Sequence, residues 1–208
     1  MKKLLSRFTP LQWLAIGLIV LGLLIMIPRL RGMFSFYKEA RYAAENHFVD
    51  GNLSPDLIRP WMSLRYVAVA YAVPQRYLYD TAGIRPHPET SMLSLSRLNR
   101  QLNLGEVNGE PAIMQVVRDA IVAYRANPVV TGLLEQKVAD WMTIQYIANS
   151  TGVSAETIFA GLGLPPDGNA NKPLGFLSET TSYPGGTRAL VAAVQKILEE
   201  QGVIPARP

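Results

Sequence analysis

Trp61-Met-Ser-Leu-Arg-Tyr-Val-Ala68 and, eighty residues later, Trp141-Met-Thr-Ile-Gln-Tyr-Ile-Ala148 are one segment written twice. The match runs on through Val73 over Val153, Gly83 over Gly163 and Pro86 over Pro166, with seven of 26 aligned positions identical. Ser63/Thr143, Leu64/Ile144, Leu78/Ile158 and Tyr79/Phe159 are conservative exchanges. With three Trp and seven Met in 208 residues, a shared Trp-Met is poorly explained by chance. A repeat of this length points to tandem structural units. Further on, Leu95 and Leu98 correspond loosely to Leu174 and Leu177. Each copy then closes with an amphipathic helix, over Pro111–Arg125 and Arg188–Gln201. Ile113, Val116, Val117, Ala120, Ile121 and Tyr124 in the first, and Leu190, Val191, Val194, Ile197 and Leu198 in the second, have the spacing of one buried helix face. Pro111 fits a first turn, Thr187 an N-cap and Gly202 a stop. The expectation is an all-α fold with two tandem helix-turn-helix-like modules, 52–127 and 128–205.

Within the second copy, Thr143 caps a helix carrying Ile144, Ile147 and Ala148. Gly152 closes it in a left-handed turn, and Ser154 caps a second helix through Ile158, Phe159 and Leu162. The first copy has Ala72 where the glycine belongs, followed by Pro74, so its turn is expected to differ or to rest on the proline alone. Trp61, Tyr66, Ala68, Leu78, Trp141, Tyr146, Ala148, Gly152 and Ile158 are the expected module core. The pattern Thr-Ile-x-x-Ile-Ala-x-x-x-Gly-Val…Leu-Gly-Leu-Pro (Thr143 to Pro165), trailed by Pro173-Leu-Gly-Phe-Leu177, resembles a short helical module of uncharacterised bacterial membrane-associated proteins. The resemblance covers about 35 residues of copy two, and more weakly copy one. It implies a structural motif and carries no agreed activity.

Ahead of the repeats, Phe8 to Pro28 holds no charge between Arg7 and Arg29. Residues 11–28 are apolar all round and, at about 1.5 Å per residue, match a bilayer core of roughly 30 Å. Trp13 on one side and Phe34, Phe36 and Tyr37 on the other suit the interfacial belts. The run exceeds an ordinary signal-peptide core, and Ile27-Pro-Arg-Leu-Arg31 is no small-residue cleavage site. An uncleaved single-pass anchor is expected: a basic tail 1–10, a transmembrane helix 11–28 and a juxtamembrane helix or linker 29–51. Basic residues flank both ends almost equally. The ten-residue basic tail tips the orientation to N-in, with the helical domain outside the cytoplasm.

Residues 1–50 carry seven Lys/Arg against three Asp/Glu, 51–131 eight against six, and 132–208 five against seven. The basicity therefore sits around the membrane segment rather than on the modules, which weighs against nucleic acid as a partner. If a DNA-binding reading held, the second helix of copy one would supply Gln75 and Arg76, whereas copy two opens that helix with Ser154-Ala-Glu-Thr157. There is no cysteine, and His47 and His87 lie forty residues apart, so neither thiolate metal sites nor a His-x-x-x-His pair can be built. No nucleophile-elbow motif is present, and Gly185-Gly186 lacks the Lys-Ser/Thr of a phosphate loop. The sequence calls for no cofactor and shows no evident small-molecule substrate. The expected partners are the lipid bilayer and a protein. The expected function is a non-enzymatic, membrane-anchored interaction or scaffold protein, an accessory subunit of a membrane complex. The alternative is a membrane-bound DNA-binding regulator, and a third reading, an enzyme with a non-local site, requires a pocket of polar groups with perturbed pKa.

Overall fold

Ser63 and Thr143 begin the two copies in the same way. In the computed structural model, which describes residues 53–203, each is extended and its hydroxyl accepts the backbone N–H three residues on, Tyr66 and Tyr146, at 3.1 Å. Satisfying an otherwise orphaned donor fixes the start of helix α1 (Leu64–Ala70) and of its counterpart α6 (Ile144–Thr151). α2 (Gln75–Thr81) and α7 (Ala155–Leu162) follow, and Gly83 and Gly163 end them with φ of +65° and +67°. The turn between the paired helices is left-handed in both copies. Gly152 has φ +82° and Ala72 has φ +51°. The closing bonds differ as expected: in copy two Gly152 N donates to Ala148 O and Val153 N to the Thr151 hydroxyl, whereas copy one closes one residue wider. Ala68 O accepts from Val73 N at 2.8 Å, closing the wide hydrogen-bonded ring of a helix end, and the alanine is held in a conformation that disfavours a Cβ.

α4 (Leu95–Gln101) and α8 (Leu174–Thr180) are clipped onto their copies by equivalent backbone bonds. Leu95 N donates to Met62 O at 2.7 Å and Leu174 N to Met142 O at 2.8 Å; Ser96 N to Pro60 O and Gly175 N to Asp140 O repeat the pattern one residue later. Each copy ends in a fifteen-residue helix, α5 (Ala112–Ala126) and α9 (Gly186–Glu200). Their buried residues Ile113, Val117, Ala120, Ile121 and Leu190, Val194, Ile197, Leu198 share one i, i+4, i+7, i+8 spacing. α5 packs on α2 and α4, and α9 on α7 and α8. The copies differ in their links. Copy one has the additional short helix α3 (Pro88–Met92) and a hairpin, β1 (Glu106–Val107) with β2 (Glu110–Pro111). Asn108 and Gly109 both have positive φ there, the Asn-Gly signature of a tight hairpin. Asn99 secures it: Nδ2 donates to Gly105 O at 2.7 Å, and Oδ1 accepts from Ile113 N at 3.0 Å. In copy two the chain turns through Gly185 and Gly186 instead, and α9 starts at Gly186. Thr187 therefore lies inside the helix and is not its N-cap, because left-handed Gly185 has taken that place without a side-chain bond.

The fold is mostly helical, with nine α-helices, one 3-10 turn (Pro55–Leu57) and one two-residue ladder among the described residues. Both copies belong to one unit, His47–Pro208. Ala68, Leu78, Tyr146, Ala148 and Ile158 are buried as expected. Trp61, Tyr66 and Trp141 are only half-buried, and Gly152 is exposed, serving as a turn and not as core. The fully buried anchors beside the tryptophans are Met62 and Met142, whose flexible side chains fill the interior while each indole lies against its own tyrosine, Trp61 on Tyr66 at 5.7 Å and Trp141 on Tyr146 at 6.4 Å. Among the described residues no helix is long and apolar enough to cross a membrane. The expected transmembrane helix 11–28, the tail 1–10 and the segment 29–51 lie outside the described residues.

A side chain at residue 152 would be strained twice over, by φ and by a Cβ 3.0 Å from Val130 Cγ1. Gly152→Ala is expected to destabilise the fold by about 1–2 kcal/mol in denaturant unfolding of the full chain in detergent. An unchanged midpoint would contradict the turn geometry.

Candidate binding cleft at the joint of the two copies

Pro74 cannot continue α1, and α2 starts directly after it with Gln75. Residues four apart share a helix face, so Gln75 and Tyr79 point inward together, 3% and 1% exposed. Gln75 Nε2 donates to the Tyr79 hydroxyl at 2.9 Å. Gln75 Oε1 is buried and has no hydrogen-bond partner. Opposite, the stretch that leads into copy two brings Glu135, whose Oε1 is likewise buried and unpartnered. These groups line a cleft of about 330 Å³ whose wall continues through Arg65, Pro86, His87, Ser91, Met92 and Gln136.

Electrostatics mark the same place. Burial raises the Glu135 carboxyl above the ordinary glutamate range; Arg76 partly offsets this and Asp80 adds to it. Burial also raises the Tyr79 phenol, against hydrogen bonds from Gln75 and Ser91 that favour its ionised form. Tyr146, 2% exposed, has its phenol pushed up strongly by burial. Both tyrosines therefore stay protonated at neutral pH. Arg65 extends from copy one across to copy two, its Cζ 4.8 Å above the Trp141 ring, a cation–π contact. Close by, Asn149 Nδ2 donates to Ala72 O at 2.6 Å, a further bond between the copies.

The cleft is not duplicated. Ala155 and Phe159 stand in copy two where copy one has Gln75 and Tyr79, and Pro55 is the counterpart of Glu135. The alternative, DNA-binding reading would have needed Gln75 and Arg76 on a surface facing DNA. Gln75 is instead interior, and Arg76 is engaged with the Asp80 carboxylate at 3.0 Å one turn along α2. Glu135, Tyr79 and Ser91 were not singled out as site residues. No motif surrounds them, and the Gln-to-Ala and Tyr-to-Phe differences between copies were the available signal. Among the described residues no group of three His, Asp or Glu side chains is arranged to hold a metal ion. Comparison with protein-family models, curated proteins and solved structures finds no match to this chain.

The raised carboxyl sets a pH dependence with a definite sign. The folded chain keeps the Glu135 proton to higher pH than the unfolded chain does. Its contribution to stability is full below the ordinary value of 4.5 and is lost as pH rises through the raised value. Glu135→Gln is expected to remove this decline, so that above the window the variant is at least as stable as the parent. Denaturant unfolding at several pH values checks it; an identical slope in both proteins would contradict the assignment.

Proposed function

We propose that the chain is a non-enzymatic, membrane-anchored interaction or scaffold protein, an accessory subunit of a membrane complex. In this reading residues 11–28 span the bilayer once, and the paired helical copies stand outside the cytoplasm to hold a protein partner. The observation that carries it is the pair of unpartnered buried acceptors, Gln75 Oε1 and Glu135 Oε1, lining one cleft between the copies. A buried acceptor left unpaired costs about 1–3 kcal/mol, and a complementary donor recovers that cost on binding. The Glu135 carboxyl has the perturbed acidity an enzyme would need. Its cleft neighbours are a non-titrating amide and a phenol that keeps its proton, which suits recognition better than proton transfer. A DNA-binding regulator is disfavoured because α7 opens with Glu156 in its first turn and Gln75 is withdrawn from the surface.

Two measurements test the proposal. The full chain should remain with membranes through alkaline carbonate extraction, and reporters fused to its C-terminus should be active only outside the cytoplasm. A photoreactive residue replacing Met92, 59% exposed at the cleft, should give a discrete protein adduct in cells, and one replacing Lys196 on α9 should not. Release by carbonate, or equal labelling from both positions, would defeat the reading.

A further inference from the structure

Both acceptors in the cleft ask for hydrogens, and the chemistry around them narrows the donor. Gln75 is 3% exposed, and its amide nitrogen is already committed to Tyr79 at 2.9 Å. The carbonyl oxygen is the end left without a partner. Glu135 contributes a second acceptor that carries charge when ionised. Its Coulombic neighbours Arg76 and Asp80 are bound to each other at 3.0 Å and act on it in opposite directions. Arg65, the cleft's own cation, rests over the Trp141 ring. The cleft volume of about 330 Å³ admits a small planar group and excludes a folded element. A group offering several N–H donors and a positive charge is the chemical complement of this pair of acceptors.

We propose that the cleft between the two copies binds a guanidinium group, held by hydrogen bonds to Glu135 Oε1 and Gln75 Oε1. The inference rests on the reading of a partner-binding module and names the chemistry that the module recognises. The group comes either from an arginine side chain of a protein or from a free small guanidine. Binding favours the ionised carboxylate, so affinity rises with pH as Glu135 titrates. The charged and titratable groups around that carboxylate are Arg76 and Asp80 on α2, and Tyr79, Tyr146, Arg65 and His87 about the cleft and joint. Of these, both tyrosines stay protonated through neutral pH.

The test is titration of the full chain in detergent, by calorimetry or tryptophan fluorescence, with three probes. These are acetyl-arginine methylamide for a protein-borne group, methylguanidine for a free one, and acetyl-glutamate methylamide as the acidic control. The expected result is saturable binding of one or both guanidinium probes, with affinity increasing with pH, and none of the acidic probe. Tighter binding of the peptide-like probe assigns the group to a protein, and tighter binding of methylguanidine to a small molecule. Glu135→Gln should weaken binding by about tenfold or more without lowering the unfolding midpoint. Gln75→Met, which keeps the volume and removes the acceptor, should weaken it too. Absence of saturation by either guanidinium probe, equal binding of the acidic probe, or unchanged affinity in Glu135→Gln overturns the inference. A Met92 adduct that forms undiminished in Glu135→Gln cells would rule out the protein-borne source while leaving the interaction reading intact.

Discussion

The hydrogen bond from the Asn149 side chain to the Ala72 carbonyl, 2.6 Å long, holds the architecture together where it is most exposed to failure. Ala72 sits in the left-handed turn of copy one, a position an alanine takes at a cost. Asn149 lies on α6 of copy two and is itself oriented by Gln145, whose Nε2 donates to its Oδ1 at 2.9 Å. The strained turn of one copy is thus fastened to the first helix of the other. Around the same joint, Arg65 reaches over Trp141 and Tyr146 is buried almost completely. Contacts of this kind reinforce one another in a low-dielectric setting, so the joint belongs to the fold as much as either helical core does.

Duplication explains what is alike in the copies, and divergence explains the cleft. The hydroxyl caps at Ser63 and Thr143, the left-handed turns and the backbone clips from Met62 and Met142 are geometric necessities of the unit, and they persist despite low identity. Gln75 and Tyr79 are under no such requirement, since Ala155 and Phe159 fill the equivalent places. Burying an amide and a phenol in place of apolar groups is unfavourable unless their bonds are made, and one amide bond is left unmade. That departure from an apolar alternative, present in the chain's own second copy, is the feature on which the proposed recognition role rests.

The helices of the repeat were legible because caps and apolar spacing act locally. Thr143, Ser154, Gly152 and the i, i+4 pattern of α5 and α9 lead from sequence to backbone with little tertiary help. At Ala72 the sequence showed only that the turn would differ from the glycine version; that an alanine takes the left-handed conformation there runs against its propensity. The hairpin at Asn108-Gly109 carried its signal openly, although strands of two residues show no alternating pattern to go with it. Thr187 has the right chemistry for a cap but loses the position to Gly185. The cleft was not legible. It joins Glu135 to Gln75 across sixty residues, and only packing decides that a glutamine next to Arg76 faces inward.

One measurement bears most directly on the claim that the two copies form a single body with its cleft at the joint. Native-state hydrogen exchange of the full chain and of Asn149→Ala would follow the core amides of α5 and α9 separately. The account predicts that removing the Asn149 amide lowers protection by the same amount in both helices, as cooperative opening of one unit requires. Loss of protection in only one of the two helices would show that the copies fold independently and would contradict the account.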